Sequence, residues 1–386
     1  MSKNIYADNA ATTKVSERAL AAMLPFFREN FGNPSAIYDL GQSAKKELEA
    51  ARKTVASCLG AMNTEIFFTS GGTESDNWAI MSVTESKKDK GRHIISTAIE
   101  HNAVLKTLEK LEGAGFEVTY LIPDKNGLIE PSQLEKALRR DTILVSIMLA
   151  NNVVGTIEPI KELARVSHKS GVLFHTDAVQ AVGHIPINVR DLGVDFLSLS
   201  AHKFHGPKGV GALFAKLPKT PTPYVLGGGQ ERGGRSGTEN VPGAVGLGVS
   251  LQEATDNLTA NTQHLTSLRE RLINSILEIP RVSLTGERNL RLPGHASFVL
   301  EGIGHGVFLI NQLNELGISV SSGSACSVSS REGSHVLEAL GYHEPLLFNA
   351  LRITLCPENT SEEIDYILEK IPGCVADLRQ KKFGHF

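Results

Sequence analysis

Lys203 and Asp177 are the first candidates for chemistry. Lys203 closes the run Val194 to His202, where Phe196, Leu197 and Leu199 stand among small residues without a helical period. A glycine-rich turn from Gly206 to Gly211 follows at once. A solubilising surface charge poorly explains a lysine in that place. Asp177 ends another strand-like run, 26 residues earlier. A lysine able to form a Schiff base and an acid able to pair with a pyridinium nitrogen are what pyridoxal phosphate needs from a protein.

Other residues fit around that pair. Ser70-Gly71-Gly72-Thr73 follows a strand and opens a helix. Bare amides and a hydroxyl at a helix N-terminus make an anion site. The run lacks the Gly-Lys-Ser/Thr ending of a nucleotide-triphosphate loop. Alone it is an ordinary strand–helix turn; with Ser200 and His202 beside the lysine, a phosphate cradle is the better reading. His101 ends a strand at Glu100-His101-Asn102 and could stack on a ring or carry a proton. Gln180 reads either as a contact to the ring's phenolic oxygen or as a solvated side chain. Cys326 lies in a serine- and glycine-rich run from Ser319 to Ser330, without bulky apolar anchors. Such a setting lets a thiol be reached and move. Cys58, Cys356 and Cys374 read as packing or incidental. Arg352 is a charge inside an apolar strand, which suits a bidentate carboxylate clamp, with Asn152 as an assistant.

These residues need a scaffold that gathers them. Short apolar runs near 65–69, 93–99, 117–122, 143–149, 172–176, 196–200 and 210–215 alternate with amphipathic stretches such as 103–112, 131–139 and 160–170. That alternation predicts an α/β fold with a mostly parallel sheet and helices on both faces. Ligands then collect beyond the carboxyl ends of the strands, where Gly72, His101, Asn152, Asp177 and Lys203 all fall. A long helical stretch, 241–277, leads to a smaller unit. There the pattern predicts strands near 295–300, 319–321 and 351–355, and helices near 306–316, 334–340 and 361–371.

The 386 residues favour two domains, and 41% hydrophobic with 21% charged residues is ordinary for a globular enzyme. A net charge of −3 gives no support for a nucleic-acid or anionic-membrane partner. No run is long and apolar enough to span a membrane, and the N-terminus has no signal core. Four cysteines without a Cys-x-x-Cys pair favour a reducing cytoplasm.

The ordered set of motifs resembles the cysteine desulfurases of the NifS/IscS type, in the class V aminotransferase group of fold-type I pyridoxal phosphate enzymes. The resemblance rests on Thr69 to Asn77, Thr97 to His101, Asp177 to Gln180, Ser200 to Lys203, Arg235 to Thr238 and Ser321 to Cys326. It implies a seven-stranded large domain over 14–255 and a smaller α+β domain from 1–13 and 256–386, which carries a cysteine loop at about 321–333. It implies that Lys203 is the Schiff-base lysine, Asp177 the pyridine-nitrogen partner and His101 the stacking acid/base. Gln180 would contact the ring oxygen, while Gly72, Thr73, Ser200 and His202 would hold the phosphate. Thr238 would reach the phosphate of the neighbouring subunit, so a homodimer is expected. Asn152 and Arg352 would bind the substrate carboxylate. Cys326 would take sulfur from L-cysteine as a persulfide, leave alanine, and pass the sulfur to acceptors such as an iron–sulfur scaffold. No metal site is implied beyond a transient iron–sulfur contact through Cys326.

Two departures stand out. Where the family commonly has Asn-Asn-Glu, this chain has Asn151-Asn152-Val153; where it often continues Leu-Gly-Arg, this chain has Leu355-Cys356-Pro357. Two rivals share the fold: a selenocysteine lyase or other class V enzyme, and a scaffold partner without catalysis. Cys326 on its loop argues against an aminotransferase, and the full set of Lys203, Asp177, His101 and Cys326 argues against a scaffold.

Overall fold

The computed structural model describes residues 4–218, 221–323 and 333–381. Its strands are β1 (Ile5–Tyr6), β2 (Ile66–Thr69), β3 (His93–Thr97), β4 (Glu117–Leu121), β5 (Thr142–Ser146), β6 (Leu173–Asp177), β7 (Phe196–Ser200), β8 (Gly211–Ala215), β9 (Val282–Leu284), β10 (His295–Leu300), β11 (Ile318–Ser319) and β12 (Ala350–Thr354). Seven of them form one sheet in the order β2-β8-β7-β6-β5-β3-β4. β8 runs against both its neighbours, and the other pairs are parallel. Two reversals around β8 leave β2 pointing the same way as β3 to β7. The carboxyl ends of β2, β3, β5, β6 and β7 therefore share one edge.

Side-chain alternation explains why this sheet is covered twice. Ile95, Val145, Phe174 and Leu197 pack with helices Asp39–Leu59, Ile160–Lys169 and Val241–Asp256. Their neighbours Ile94, Leu144 and Phe196 point the other way, into helices Gly72–Lys87 and Asn102–Glu112. In the second of these helices Val104, Leu108 and Leu111 are buried at helical spacing, as the sequence pattern predicts.

A second core surrounds the antiparallel sheet β12-β10-β9. Helices Leu258–Leu277, Gly306–Glu315 and Ser361–Gln380 cover it, and Ile5 and Ala7 enter it from the N-terminus. Three details differ from the sequence reading. The stretch 241–277 is two helices that meet at Asn257, a poor helix former that caps the first. β9 has no clear alternation and was not expected. The last helix continues to Gln380 through Pro372, because Ile371, Cys374, Val375 and Leu378 keep its apolar stripe buried. That burial outweighs the hydrogen bond proline removes.

One ion pair fixes the glycine-rich loop to the sheet. Arg52 Nη1 and Nη2 donate to Glu231 at 2.7 and 2.8 Å, and Phe68 N donates to Glu231 Oε2 at 2.9 Å. Both side chains are almost fully buried. Exposed pairs such as Lys14–Glu17 contribute about 0–1 kcal/mol. Losing one partner of a buried pair costs far more, because a charge is stranded. Glu231→Ala should therefore lower unfolding free energy by about 3–5 kcal/mol in chemical denaturation. A loss below about 1 kcal/mol, the range of an exposed pair, would show that this pair does not hold the loop.

Candidate active site

A cavity of about 590 Å³ opens at the shared strand edge. Of the twelve residues singled out from the sequence, ten line it: Gly72, Thr73, His101, Asn152, Asp177, Gln180, Ser200, His202, Lys203 and Arg352. Thr238 is exposed and stands outside that lining. Cys326 lies outside the described residues, as does most of the expected 321–333 loop.

Lys203 sits in a short helical turn directly after β7. Its Nζ donates to the carbonyl oxygens of Ala10 and Ala11 at 2.6 and 2.9 Å. The carbonyl of Lys203 in turn accepts from His184 Nε2 at 2.9 Å. Burial pushes His184 down to about 4, with the Lys203 charge acting the same way, so this imidazole is neutral at neutral pH. Gln180 Nε2 donates to the same Ala10 oxygen at 3.0 Å. The N-terminal segment thus crosses the cavity mouth beside the lysine.

Asp177 ends β6 and accepts from Val179 N at 2.9 Å. Burial raises its carboxyl on balance, with the Val179 amide and the Lys203 charge opposing that rise. Asp76 lies behind it with fewer supports. Burial, then the charge of Asp177, push Asp76 well up. Its Oδ1 is 3.6 Å from His175 Nε2 and has no hydrogen-bond partner. His175 is itself neutral: burial pushes it down to about 3, while Ser146 and Ser198 hydroxyls hold its two nitrogens at 2.8 and 3.0 Å. His101 caps the helix that follows β3, where its Nδ1 accepts from Ala103 N at 3.1 Å.

The anion corner is the start of helix Gly72–Lys87. Its cap residue, Gly71, has φ 154° and offers no side chain to the first amides. A Cβ on Gly72 would meet Val179 Cγ2 at 2.5 Å, so a larger residue there must displace that side chain or the helix turn. Ser200 and His202 face the corner from the end of β7. His202 Nδ1 is 3.1 Å from Thr12 Oγ1, and burial holds its pKa down at about 4. Opposite, Arg352 reaches in from β12. Its Nη1 donates to the carbonyls of Asn152 at 2.7 Å and Gly323 at 2.6 Å, and its Nη2 pairs with Asp8 at 2.7 Å. Its Nε is buried without a hydrogen-bond partner among the described residues.

Sequence reasoning assigned no role to Asp8, Asp76, Glu100 or His335, all placed at or beside the cavity. Asp76 and Glu100 lie within the quoted motifs, and a buried acid in a motif was the available signal. Glu100 Oε1 accepts from Thr97 Oγ1 at 2.7 Å and Met148 N at 2.9 Å, but Oε2 is buried and unpartnered. Burial pushes its carboxyl up to about 8. Val153, in place of the family's glutamate, lines the cavity as an apolar wall.

The chemistry of these donors fits a phosphorylated pyridine. Open helix amides face one corner, a buried acid and an amine face the middle, and buried polar atoms of Asp76, Glu100 and Arg352 have no hydrogen-bond partner among the described residues.

The aminotransferase class-V family profile matches residues 5–367. The chain is 50% identical over 377 residues to the cysteine desulfurase IscS of Methanosarcina thermophila, covering 98% of this chain and 93% of that one. It is 46% identical over 380 residues to the IscS of Dictyoglomus turgidum, covering 98% and 96%. A solved NifS-like protein superposes with a TM-score of 0.91 at 41% identity, covering 97% of this chain and all of that one. The chain belongs to the aminotransferase class-V family and, within it, to the cysteine desulfurases of the NifS/IscS type.

Proposed function

We propose that this enzyme binds pyridoxal phosphate in the cavity and releases sulfur from L-cysteine, leaving L-alanine and a persulfide on Cys326. The observation that carries this reading is the convergence of five strand ends on one cavity, with Lys203, Asp177 and an open helix N-terminus in its wall. When bound, the cofactor supplies an electron sink for bonds at the α-carbon of an amino acid.

The chain's own residues do the rest. Gly72, Thr73, Ser200 and His202 hold the phosphate, and Thr238 reaches it from the neighbouring subunit of a homodimer. Lys203 would hold the group through Nζ and would be the base for the α-proton of the substrate. Asp177 keeps a proton on the pyridine nitrogen, a task suited to a carboxylate walled from water. Gln180 would hold the ring oxygen, and His101 would hold the ring and move a proton. Arg352 and Asn152 bind the substrate carboxylate; the unpartnered Arg352 Nε supports this role. Cys326 Sγ attacks the substrate sulfur, an S–S bond forms and the C–S bond breaks. The persulfide then passes to an acceptor such as an iron–sulfur scaffold protein, a tRNA-thiolation enzyme or a DNA phosphorothioation enzyme.

The chain reads as two units, 14–255 and 1–13 with 256–386, supported by the second core that gathers Ile5 and Ala7 with helix Leu258–Leu277. Three described cysteines are free thiols, which supports a reducing cytoplasmic setting. No helix among the described residues is long and apolar enough to cross a membrane.

Cys326→Ser should keep the visible cofactor absorbance but lose alanine release from L-cysteine; unchanged turnover would remove Cys326 from the mechanism. Gly72→Ala should weaken cofactor retention by about tenfold or more, since the 2.5 Å clash with Val179 displaces the first helix turn. Equal retention after dialysis would mean the phosphate sits elsewhere. Glu100 gives a pH test. Its ordinary value of 4.5 rises to about 8 in the fold, so its stabilisation is complete below pH 4.5 and is lost as pH climbs through 8. Stability of Glu100→Gln should fall less steeply with pH across that window, and parallel wild-type and variant curves would rule out a buried neutral Glu100.

A further inference from the structure

Cys356 has no part in the chemistry above, and it replaces the glycine often found at this point of the family. Two other ligand types surround it. A ring nitrogen of His205, Sγ of Cys356 and a carboxylate oxygen of Glu358 all lie within 4.8 Å of one another. Cys356 is buried, and its Sγ donates to Glu358 Oε2 at 3.0 Å. His205 comes from the turn just beyond Lys203. Its backbone is pinned with φ 64°, and its N–H donates to Thr13 Oγ1 at 2.8 Å.

The imidazole is already oriented. Nδ1 lies 3.0 Å from the carbonyl oxygen of Lys14 and 3.9 Å from Glu358 Oε1, both acceptors, so without a metal Nδ1 carries the proton. The lone pair is then on Nε2, which is buried with no hydrogen-bond partner among the described residues. A backbone carbonyl on one ring nitrogen is how metal-binding histidines are held. A second sulfur-carrier role for Cys356 fits poorly. Burial, reinforced by Glu358, pushes its thiol up to about 12, so little thiolate is present.

We propose that His205, Cys356 and Glu358 form an exchangeable site for a borderline-soft divalent cation, with Zn²⁺ the best match. One nitrogen, one sulfur and one carboxylate oxygen suit zinc and disfavour magnesium or calcium. On binding, the Sγ–H bond gives way to an Sγ–metal bond and the proton leaves to solvent. Thiolate and carboxylate then neutralise the dication, while the imidazole stays neutral. The fourth tetrahedral position is left for water. A neighbouring cavity of about 150 Å³, whose wall includes His205 and Glu358, gives that water room. The Glu358 side chain is 64% exposed, so it can swing to close the set and open it again. A bound ion ties the lysine turn to the exit of β12, the strand that carries Arg352.

Cobalt(II) titration of the purified full-length protein tests this, read by thiolate-to-metal charge-transfer absorption and by displacement with Zn²⁺. The band should persist in Cys326→Ser and vanish in Cys356→Ser. Glu358→Gln, altered at an exposed side chain, should bind about tenfold or more weakly while keeping wild-type desulfurase activity in metal-free buffer. A band that survives Cys356→Ser, an undiminished affinity in Glu358→Gln, or no uptake of either ion at micromolar free concentration overturns the proposal.

Discussion

The hold of the N-terminal segment on the lysine turn is the contact on which the rest of the site depends. Residues 8–16 form no long element, yet they touch both halves of the cavity. Ala10 and Ala11 carbonyls take the Lys203 ammonium, Thr13 N donates to the His202 carbonyl, and Ser16 N donates to the His205 carbonyl. On the other side Asp8 pairs with Arg352, and Asn9 Nδ2 donates to the Thr354 carbonyl. Lys203 belongs to the large sheet and Arg352 to the small one. A strap bonded to both sets the distance between the amine and the guanidinium, the two groups proposed to meet the two ends of one amino acid.

Burial decides the protonation of what lies beneath. His175 and His184 are pushed down and stay neutral, while Glu100 and Asp76 are pushed up. Asp177 is raised by burial too, but the Val179 amide and the Lys203 charge oppose that rise. Neutral walls leave the Lys203 ammonium little screened, because a low dielectric weakens its field little. Glu158 follows the same rule as Glu100: burial pushes it up to about 8, and its Oε1 is unpartnered.

Much of this was legible in the sequence, for a definite reason. Strands covered on both faces read as continuous apolar runs, so β3, β5, β6 and β7 could be placed and their final residues named. Parallel strands put those residues on one edge, and that topological rule is what found His101, Asp177 and Lys203. Contacts between distant segments were not legible. Nothing local in Asp8 announces Arg352, 344 positions away. Neither does His205 announce Cys356. The reversed direction of β8 was equally hidden, since an apolar strand reads the same both ways. Asp76 and Glu100 are acids in good motifs, but only the packed structure shows that each has an unmet oxygen.

The central claim is that Lys203 carries the cofactor in this cavity. Borohydride reduction of the purified protein, followed by proteolysis and mass mapping, tests it most directly. The reduced pyridoxyl phosphate mass should appear on the peptide that contains Lys203 and on no other lysine. Its appearance on a different lysine, or its absence from a protein that shows cofactor absorbance, would contradict the claim.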